Sequence, residues 1–532
     1  MSETNQKEFG KWRSIFWPIY RFELKKMIPV SLIFFLVLFN YTILRDTKDS
    51  LIIPSAGAEA VPFIKFWGVV PIAVVFMLIY AKLSNKLSKP GLFYSIITPF
   101  IIFFALFAFV LYPMRDSLHP NAFADWMQAT LPQGFAGLVG AIRNWTYTLF
   151  YILAELWGSA VLSLMFWGFA NDIVKSVEAK RFYSVFGAFA NLALMVSGTC
   201  IIMFSDIRAK LPADVDAWGV SLKYLMGMVV LAGVLIMLIY RWINKNVLTD
   251  PRFYKPEEIQ KNKKEKPKMS IKESFRFLLK SRYLGLIAIL VMGYGIAINI
   301  IEVTWKKQVG MYFPNPNDYS TFMGQFSRIT GIVAILTSLF LGSNVIRRLG
   351  WKFAALVTPI MLLVTGSIFF TAVMGREHLG TFTAMFATSP LFLIVIIGAA
   401  QNILSKSSKY AFFDPTKEMS YIPLDQESKV KGKAAVDVVG ARLGKAGGSI
   451  MQQGLIIGCG SLLSATPYLA GILMFIVVAW IVAASKLNKL YLAKEEEKAL
   501  EKAKETEAVV AKAKKPAVAQ EEAAVASSTT LK

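Results

Sequence analysis

Apolar runs of about twenty residues, each long enough to cross a bilayer as a helix, recur from Met27 almost to the C-terminal tail. No other feature constrains the fold of this chain as strongly. Only 17% of its 532 residues are charged, where a soluble protein of this length carries roughly 25%. Twelve helices are expected, over 27–45, 62–82, 91–113, 136–170, 182–205 and 219–243, then 283–303, 322–345, 351–374, 385–411, 434–460 and 466–487. The expected class is an all-α polytopic membrane protein of two six-helix halves, major-facilitator-like, because six-plus-six about a linker is the pattern of a parallel repeat.

The organisation follows: a lead at 1–26, a bundle at 27–243, a basic linker at 244–282, a second bundle at 283–487 and a charged tail at 488–532. The tail, rich in Ala, Glu and Lys, is expected to fray into disorder. "EAKRFYSVFGAFANLALMVSG" from Glu178 and "ESKVKGKAAVDVVGARLGKAGG" from Glu427 share early charges and small-residue spacing, each entering the fifth helix of its half. Small residues are common in packed membrane helices, so this internal likeness is faint.

A net charge of +23 would point to nucleic acid if it lay on a folded soluble domain. It lies in tails and loops instead. On the side of the N-terminus the tails and loops hold 44 Lys and Arg, against nine opposite: Arg45, Lys48, Lys65, Arg115, Arg208, Lys210, Lys306, Lys307 and Arg376. Loops that stay in the cytoplasm collect basic residues, so both termini are expected there and nucleic acid is excluded as a partner. Cys200 and Cys459 lie in apolar segments and His119 and His378 in polar loops, with no metal-ligand spacing among them. Neither a metal nor a cofactor is expected. No small-residue cleavage site follows a short apolar region near the start, so no cleaved signal peptide is expected.

An ionisable side chain at the centre of a membrane helix costs at least about 2.5–3.5 kcal/mol and persists chiefly in protein interiors or wet cavities. Such residues are the best pointers to chemistry here. Helix one ends in "NYTILRDTKDSLI", with Arg45 and Lys48 on one face and the interleaved Asp46 and Asp49 placed to pair with them and neutralise the patch. Interfacial snorkelling is an equal contender for these cations. Helix four carries Arg143, Asn144, Tyr147 and Tyr151 at helical spacing toward Glu155, which lies about 18 Å of rise beyond Arg143. A polar seam between helices competes with a lined cavity there.

Helix seven presents Asn299, Glu302 and Lys306 on one face, with Glu302 and Lys306 in the favourable order for an ion pair. Helix eight adds Arg328, and helix ten adds Gln401 and Asn402. Helix eleven, "AAVDVVGARLGKAGGSIMQQGL", places Arg442 and Lys445 on one face among four glycines. "GARLGKA" is no phosphate loop: that motif needs four residues between its glycines and Ser or Thr after Lys. Here there are three, then Ala446, so ATP hydrolysis is not expected. Arg45, Lys48, Arg143, Arg328, Arg442 and Lys445 stand against Glu155, Glu302 and Asp437, a cationic lining suited to a polyanion.

"NYTILRDTKDSLI", "LFYILAELWGSAVLSLMFWGFAND", "INIIEVTWKKQV" and "ARLGKAGGSIMQQGL" resemble, in the same order, segments of the ATP/ADP translocases of obligate intracellular bacteria and plastids. The resemblance covers about residues 20 to 490. It implies a major-facilitator-like carrier that imports host ATP in exchange for ADP without hydrolysis, with phosphate a candidate companion of ADP. It also implies roles in transport for Lys48, Glu155, Glu302 and Lys445. Plastid members carry a transit extension not seen in this sequence, so a bacterial inner membrane is the expected location, and a monomer the expected state. The rival readings are a proton-coupled nucleotide importer of the same family, a membrane scaffold or receptor, and an enzyme acting on phospholipids.

Overall fold

The computed structural model describes residues 19–174, 176–250, 253, 273, 276, 278, 280–436 and 441–529. Twelve long helices follow the twelve apolar runs. The first half contains α1 (Leu24–Ala56), α2 (Ala60–Lys86), α3 (Lys89–Leu111), α4 (Trp145–Ile173), α5 (Ser176–Ser205) and α6 (Ala217–Asn246). The second contains α7 (Arg282–Tyr312), α8 (Pro316–Leu336), α9 (Ser343–Met374), α10 (Pro390–Met419), α11 (Ala441–Cys459) and α12 (Leu462–Thr529). No strand occurs among the described residues. Much of the linker lies outside them, as do residues 437–440 with Asp437. The backbone is helical at Arg442 and Lys445, but their side chains lie outside those described. The tail continues α12 as far as Thr529.

Ten of the twelve are long and apolar enough to cross a membrane, and α8 and α11 are not among them. Large apolar side chains such as Leu78, Ile102, Leu231 and Phe475 are exposed along the bundle's outside, as lipid-facing residues are in a multi-pass membrane protein. Caps sharpen several starts: Ser88 accepts from the Gly91 amide, Asp216 from Gly219, Ser281 from Leu284 and Ser389 from Phe392. Gly57, at φ 77°, turns the chain out of α1, a left-handed conformation that a side chain would strain.

Expectations about helix extent change in several runs: the first continues past 45 to Ala56, so Arg45, Asp46, Lys48 and Asp49 lie inside α1, and the twelfth continues past 487. The run 136–170 is not one helix: Asn144, at φ −97° and ψ 47°, separates Ala136–Arg143 from α4. The seventh run continues past 303 to Tyr312, so Lys306 and Lys307 lie inside α7. Wide π-helical turns interrupt α2 at Ile64–Val69, α4 at Gly158–Phe166 and α10 at Lys409–Phe413. Such turns rotate the following side chains relative to a regular helix and occur often at functional sites.

The halves meet through α1, α2 and α5 on one side and α7, α8 and α11 on the other. An even number of antiparallel helices puts the start of α1 and the end of α12 on one face, called here the terminal face. Toward the opposite, far face the halves are tightly joined. The Ser205 hydroxyl donates to Ser320 at 2.8 Å, Asn317 donates to Ser221 at 2.7 Å, and Arg208 pairs with Asp318 at 2.9 Å. A Cβ on Gly198 would lie 2.7 Å from the Arg328 amide nitrogen and the Gly324 carbonyl, so α5 and α8 cross backbone to backbone there. On the terminal face, Lys26 with Glu178 at 2.7 Å and Tyr283 with the Ser420 carbonyl at 2.7 Å each tie elements of one half.

Candidate functional site

An ion-pair network crosses the seam between the halves in the far half of the bundle. Asp49 of α1 is its centre. One carboxylate oxygen accepts from Lys48 at 2.9 Å and the other meets Lys306 of α7 at 2.8 Å. Each lysine has a second carboxylate at 3.2 Å, Glu155 of α4 for Lys48 and Glu302 of α7 for Lys306. Lys406 of α10 extends the chain to Glu302 at 3.9 Å. The Lys48 ammonium also lies over the Tyr151 ring, 3.8 Å from its centroid, a cation–π contact that gains from desolvation.

The order of residues along α1 explains this. Lys48 and Asp49 point about 100° apart around the helix, so adjacent residues reach different neighbours. Lys48 turns toward α4 and Asp49 toward α7. One turn earlier, Arg45 donates to Asp46 at 3.0 Å and to the Ser327 hydroxyl of α8 at 2.8 Å. Ser327 in turn donates to Asp46. Two adjacent basic–acidic pairs thus bind α1 to three helices across both halves.

Burial is graded. The side chains of Lys48, Asp49 and Lys306 are 2%, 1% and 3% exposed, whereas Glu155 and Glu302 are 30% and 21% exposed. The carboxylates at both ends therefore reach water while the inner three groups do not. A buried charge without a partner is strongly unfavourable, so any anion that displaces Glu155 or Glu302 must take over the lysine it held. Lys48, Lys306, Lys406, Arg45 and Lys65 oppose Asp46, Asp49, Glu155 and Glu302, an excess of one positive charge among these nine groups.

Lys65 and Lys406 join this network, although counting charges by loop places them outside it. Lys65 lies in the π-helical turn of α2 and donates to the Asn299 side-chain oxygen at 2.8 Å. The Asn299 side chain donates to Ser449 at 3.0 Å, and the Asn299 backbone carbonyl accepts from Gln452 at 3.0 Å, so α2, α7 and α11 converge on one residue. The signal that could have found Lys65 is its place in "VPFIKFWGVV", a lysine within an apolar run. In α11, a Cβ on Gly444 would lie 3.2 Å from the Met292 backbone and one on Gly448 3.0 Å from Asn299, so those glycines seat α11 against α7.

Of the residues expected at the site, Arg45, Lys48, Tyr151, Glu155, Asn299, Glu302 and Lys306 are brought together across the seam. Three are not. Arg143 pairs with exposed Asp125 at 2.6 Å on the far face, because the break at Asn144 takes it off α4. The Asn144 side chain donates back to the Gly140 carbonyl. Tyr147 stacks on Tyr112 and lies edge-on to His119, away from Glu155. Arg328 is exposed. No group of three or more His, Cys, Asp and Glu side chains that could hold a metal occurs among the described residues.

Comparison with known proteins gives a consistent result. Residues 2–491 match the sequence profile described as TLC ATP/ADP transporter. The chain is 60% identical to the ADP,ATP carrier protein 1 of Chlamydia pneumoniae, over 96% of this chain and 99% of that protein. It is 49% identical to the chloroplastic ADP,ATP carrier protein 1 of Arabidopsis thaliana, over 94% of this chain and 78% of the relative. The ADP,ATP carrier protein 1 of Rickettsia prowazekii is 43% identical, over 92% and 98%. Among solved structures, an inward-facing bacterial homologue of the iron transporter ferroportin superposes with a TM-score of 0.53 at 12% identity. That match covers 88% of this chain and 99% of the other, and it speaks to the fold.

Proposed function

The chain belongs to the TLC ATP/ADP transporter family, and from that premise we propose that it exchanges ATP for ADP across a bacterial inner membrane by alternating access. ATP of a host enters and ADP leaves, with both termini in the cytoplasm, no hydrolysis, phosphate as a candidate companion of ADP, and one chain as the working unit. The observation that carries this reading is the bridge from Lys48 through Asp49 to Lys306, which joins the halves through buried charge.

An exchanger must switch more readily when loaded than when empty. A carrier responds to a ligand only through differential interaction with its two states. Glu155 and Glu302 occupy the outer sides of Lys48 and Lys306. A nucleotide polyphosphate entering from the water-exposed side replaces those carboxylates on the ammonium groups, since charge-assisted bonds to phosphate are strong. The freed carboxylates turn to water, and the Asp49 bridge loses its backing on both sides. Lys65, Lys406 and Arg45 add positive charge along the same wall. Arg442 and Lys445 of α11 are proposed to complete it from the second half.

The far-face closure, with Glu155 and Glu302 open to water behind it, supports reading this conformation as open toward the cytoplasm. Radiolabelled ATP uptake into proteoliposomes tests the function. Uptake that requires internal ADP supports exchange. Equal uptake into empty vesicles overturns it in favour of a uniporter, or of a proton-coupled importer where uptake follows an imposed pH gradient.

A further inference from the structure

A groove of about 610 Å³ lies on the outside of the first half, near the terminal face, between the start of α3 and the end of α6. It is remote in sequence from every residue of the ion-pair network. Pro90 and Tyr94 form one wall, and Met237, Leu238, Arg241, Asn244 and Lys245 the other. The α6 wall has a regular pattern. Leu231, Val234 and Leu238 are exposed at helical spacing, and Arg241 and Lys245 follow at the same spacing. An apolar stripe fit for a fatty acyl chain therefore ends in two cations one helical turn apart.

Those cations are not explained by the protein's own packing. Both are exposed, and among the described residues neither forms an ion pair. Lys89, at the opening of α3, is by contrast paired with Asp172 at 2.8 Å. The wall behind the groove is rigid: Phe93 stacks on Tyr240 with centroids 3.7 Å apart and an interplanar angle of 4°, and the Tyr94 hydroxyl reaches the Met237 carbonyl. These contacts brace the wall, and a braced wall lowers the ordering cost of filling the groove. Its place at the end of two membrane-crossing helices sets it at headgroup depth.

We propose that this groove is a binding site for an anionic phospholipid of the surrounding bilayer. Its headgroup phosphate lies between Arg241 and Lys245, and an acyl chain lies along Leu238, Val234 and Leu231. Basic residues between membrane helices at this depth suit acidic headgroups. The apolar stripe favours a lipid over free phosphate, which would gain nothing from it.

Native mass spectrometry of the purified full chain, titrated with phosphatidylglycerol or phosphatidylcholine, tests this. The wild type retains one phosphatidylglycerol with preference over phosphatidylcholine. Each basic residue near an acidic headgroup contributes about 1 kcal/mol, about fivefold in affinity, so Arg241→Gln with Lys245→Gln weakens the tightest phosphatidylglycerol by about 25-fold. Phosphatidylcholine binding changes little. Lys245→Glu, a single exposed change, gives a loss of the same sign and checks that the double variant acts through charge. Equal phosphatidylglycerol affinity in wild type and both variants overturns the proposal. So does displacement of the lipid by glycerol phosphate at matched concentration, which would make the site one for soluble phosphate.

Discussion

Replacing Asp49 with Asn keeps the size of the side chain and removes the charge that joins the two halves. In the closed far-face conformation, Lys48 and Lys306 are then left facing a neutral amide, with one carboxylate each at 3.2 Å. Removing one partner of a buried ion pair costs about 3–5 kcal/mol. The lower figure applies, because Glu155 and Glu302 remain and are partly in water. When the far face opens, α1 and α7 part and water receives both ammonium groups, so the loss falls on the closed state alone. A shift of about 3 kcal/mol is more than a hundredfold in the opening equilibrium. The assay is maleimide labelling from the far face of Ser320→Cys, a buried position in the closed seam, with Cys200 and Cys459 replaced by Ser. Asp49→Asn should raise the labelling rate by about two orders of magnitude, in proportion to the fraction open. Lys306→Gln, which cuts the same link from the other half, should raise it in the same direction. An unchanged rate in both variants, with the protein monodisperse, would refute the view that this bridge holds the far face shut.

Four other substitutions separate the parts of the molecule. Lys48→Ala should abolish most ATP and ADP uptake by protein that still inserts and purifies monodisperse, with thermal unfolding lowered because buried Asp49 loses one of its two lysines; full uptake by the inserted variant would remove Lys48 from the site. Gly198→Leu should speed Ser320→Cys labelling, since its side chain must enter the α5–α8 crossing where a Cβ already lies 2.7 Å from backbone. Arg143→Ala should leave uptake unchanged and alter stability by no more than about 1 kcal/mol, as for exposed ion pairs. His119, bonded to Thr146 at 2.7 Å in a far-face loop, is held below the usual histidine range by burial. Its folded form resists protonation, so the stability it contributes is present above the ordinary histidine pKa and declines as pH falls through the lowered one. Thermal unfolding between pH 7.5 and 5.5 should show a smaller acid loss for His119→Gln than for wild type.

The helix count was legible because hydrocarbon thickness sets a length that the sequence must repeat, and the pairing of Glu302 with Lys306 because helical spacing fixes it. What spacing cannot show is which helices meet. Asp49 read as a neutraliser of its own neighbours, and only tertiary contact makes it the link between Lys48 and Lys306. Counting charges by loop assigns Lys65 and Lys406 to the loops, because it assumes that helices stop at the membrane surface. Here wide turns and long helices carry lysines near helix ends into the interior. Arg143 failed for the opposite reason: a one-residue break at Asn144, invisible to periodicity, moved it to the far face.

The polarity of α8 and α11 has a consequence for how the molecule is made. Asp318 and Arg328 lie in one of these helices and Arg442 and Lys445 in the other. A charge near the middle of such a helix, as Arg328 is in α8, adds about 2.5–3.5 kcal/mol to the free energy of inserting it. Neither segment is then a good candidate for entering lipid alone as it leaves the ribosome. Each follows or precedes a strongly apolar neighbour, α7 before α8 and α12 after α11. The nascent chain would therefore be expected to integrate these segments as hairpins with those neighbours, and mutations that weaken α7 or α12 should show first as misplaced α8 or α11 and only afterwards as slow exchange.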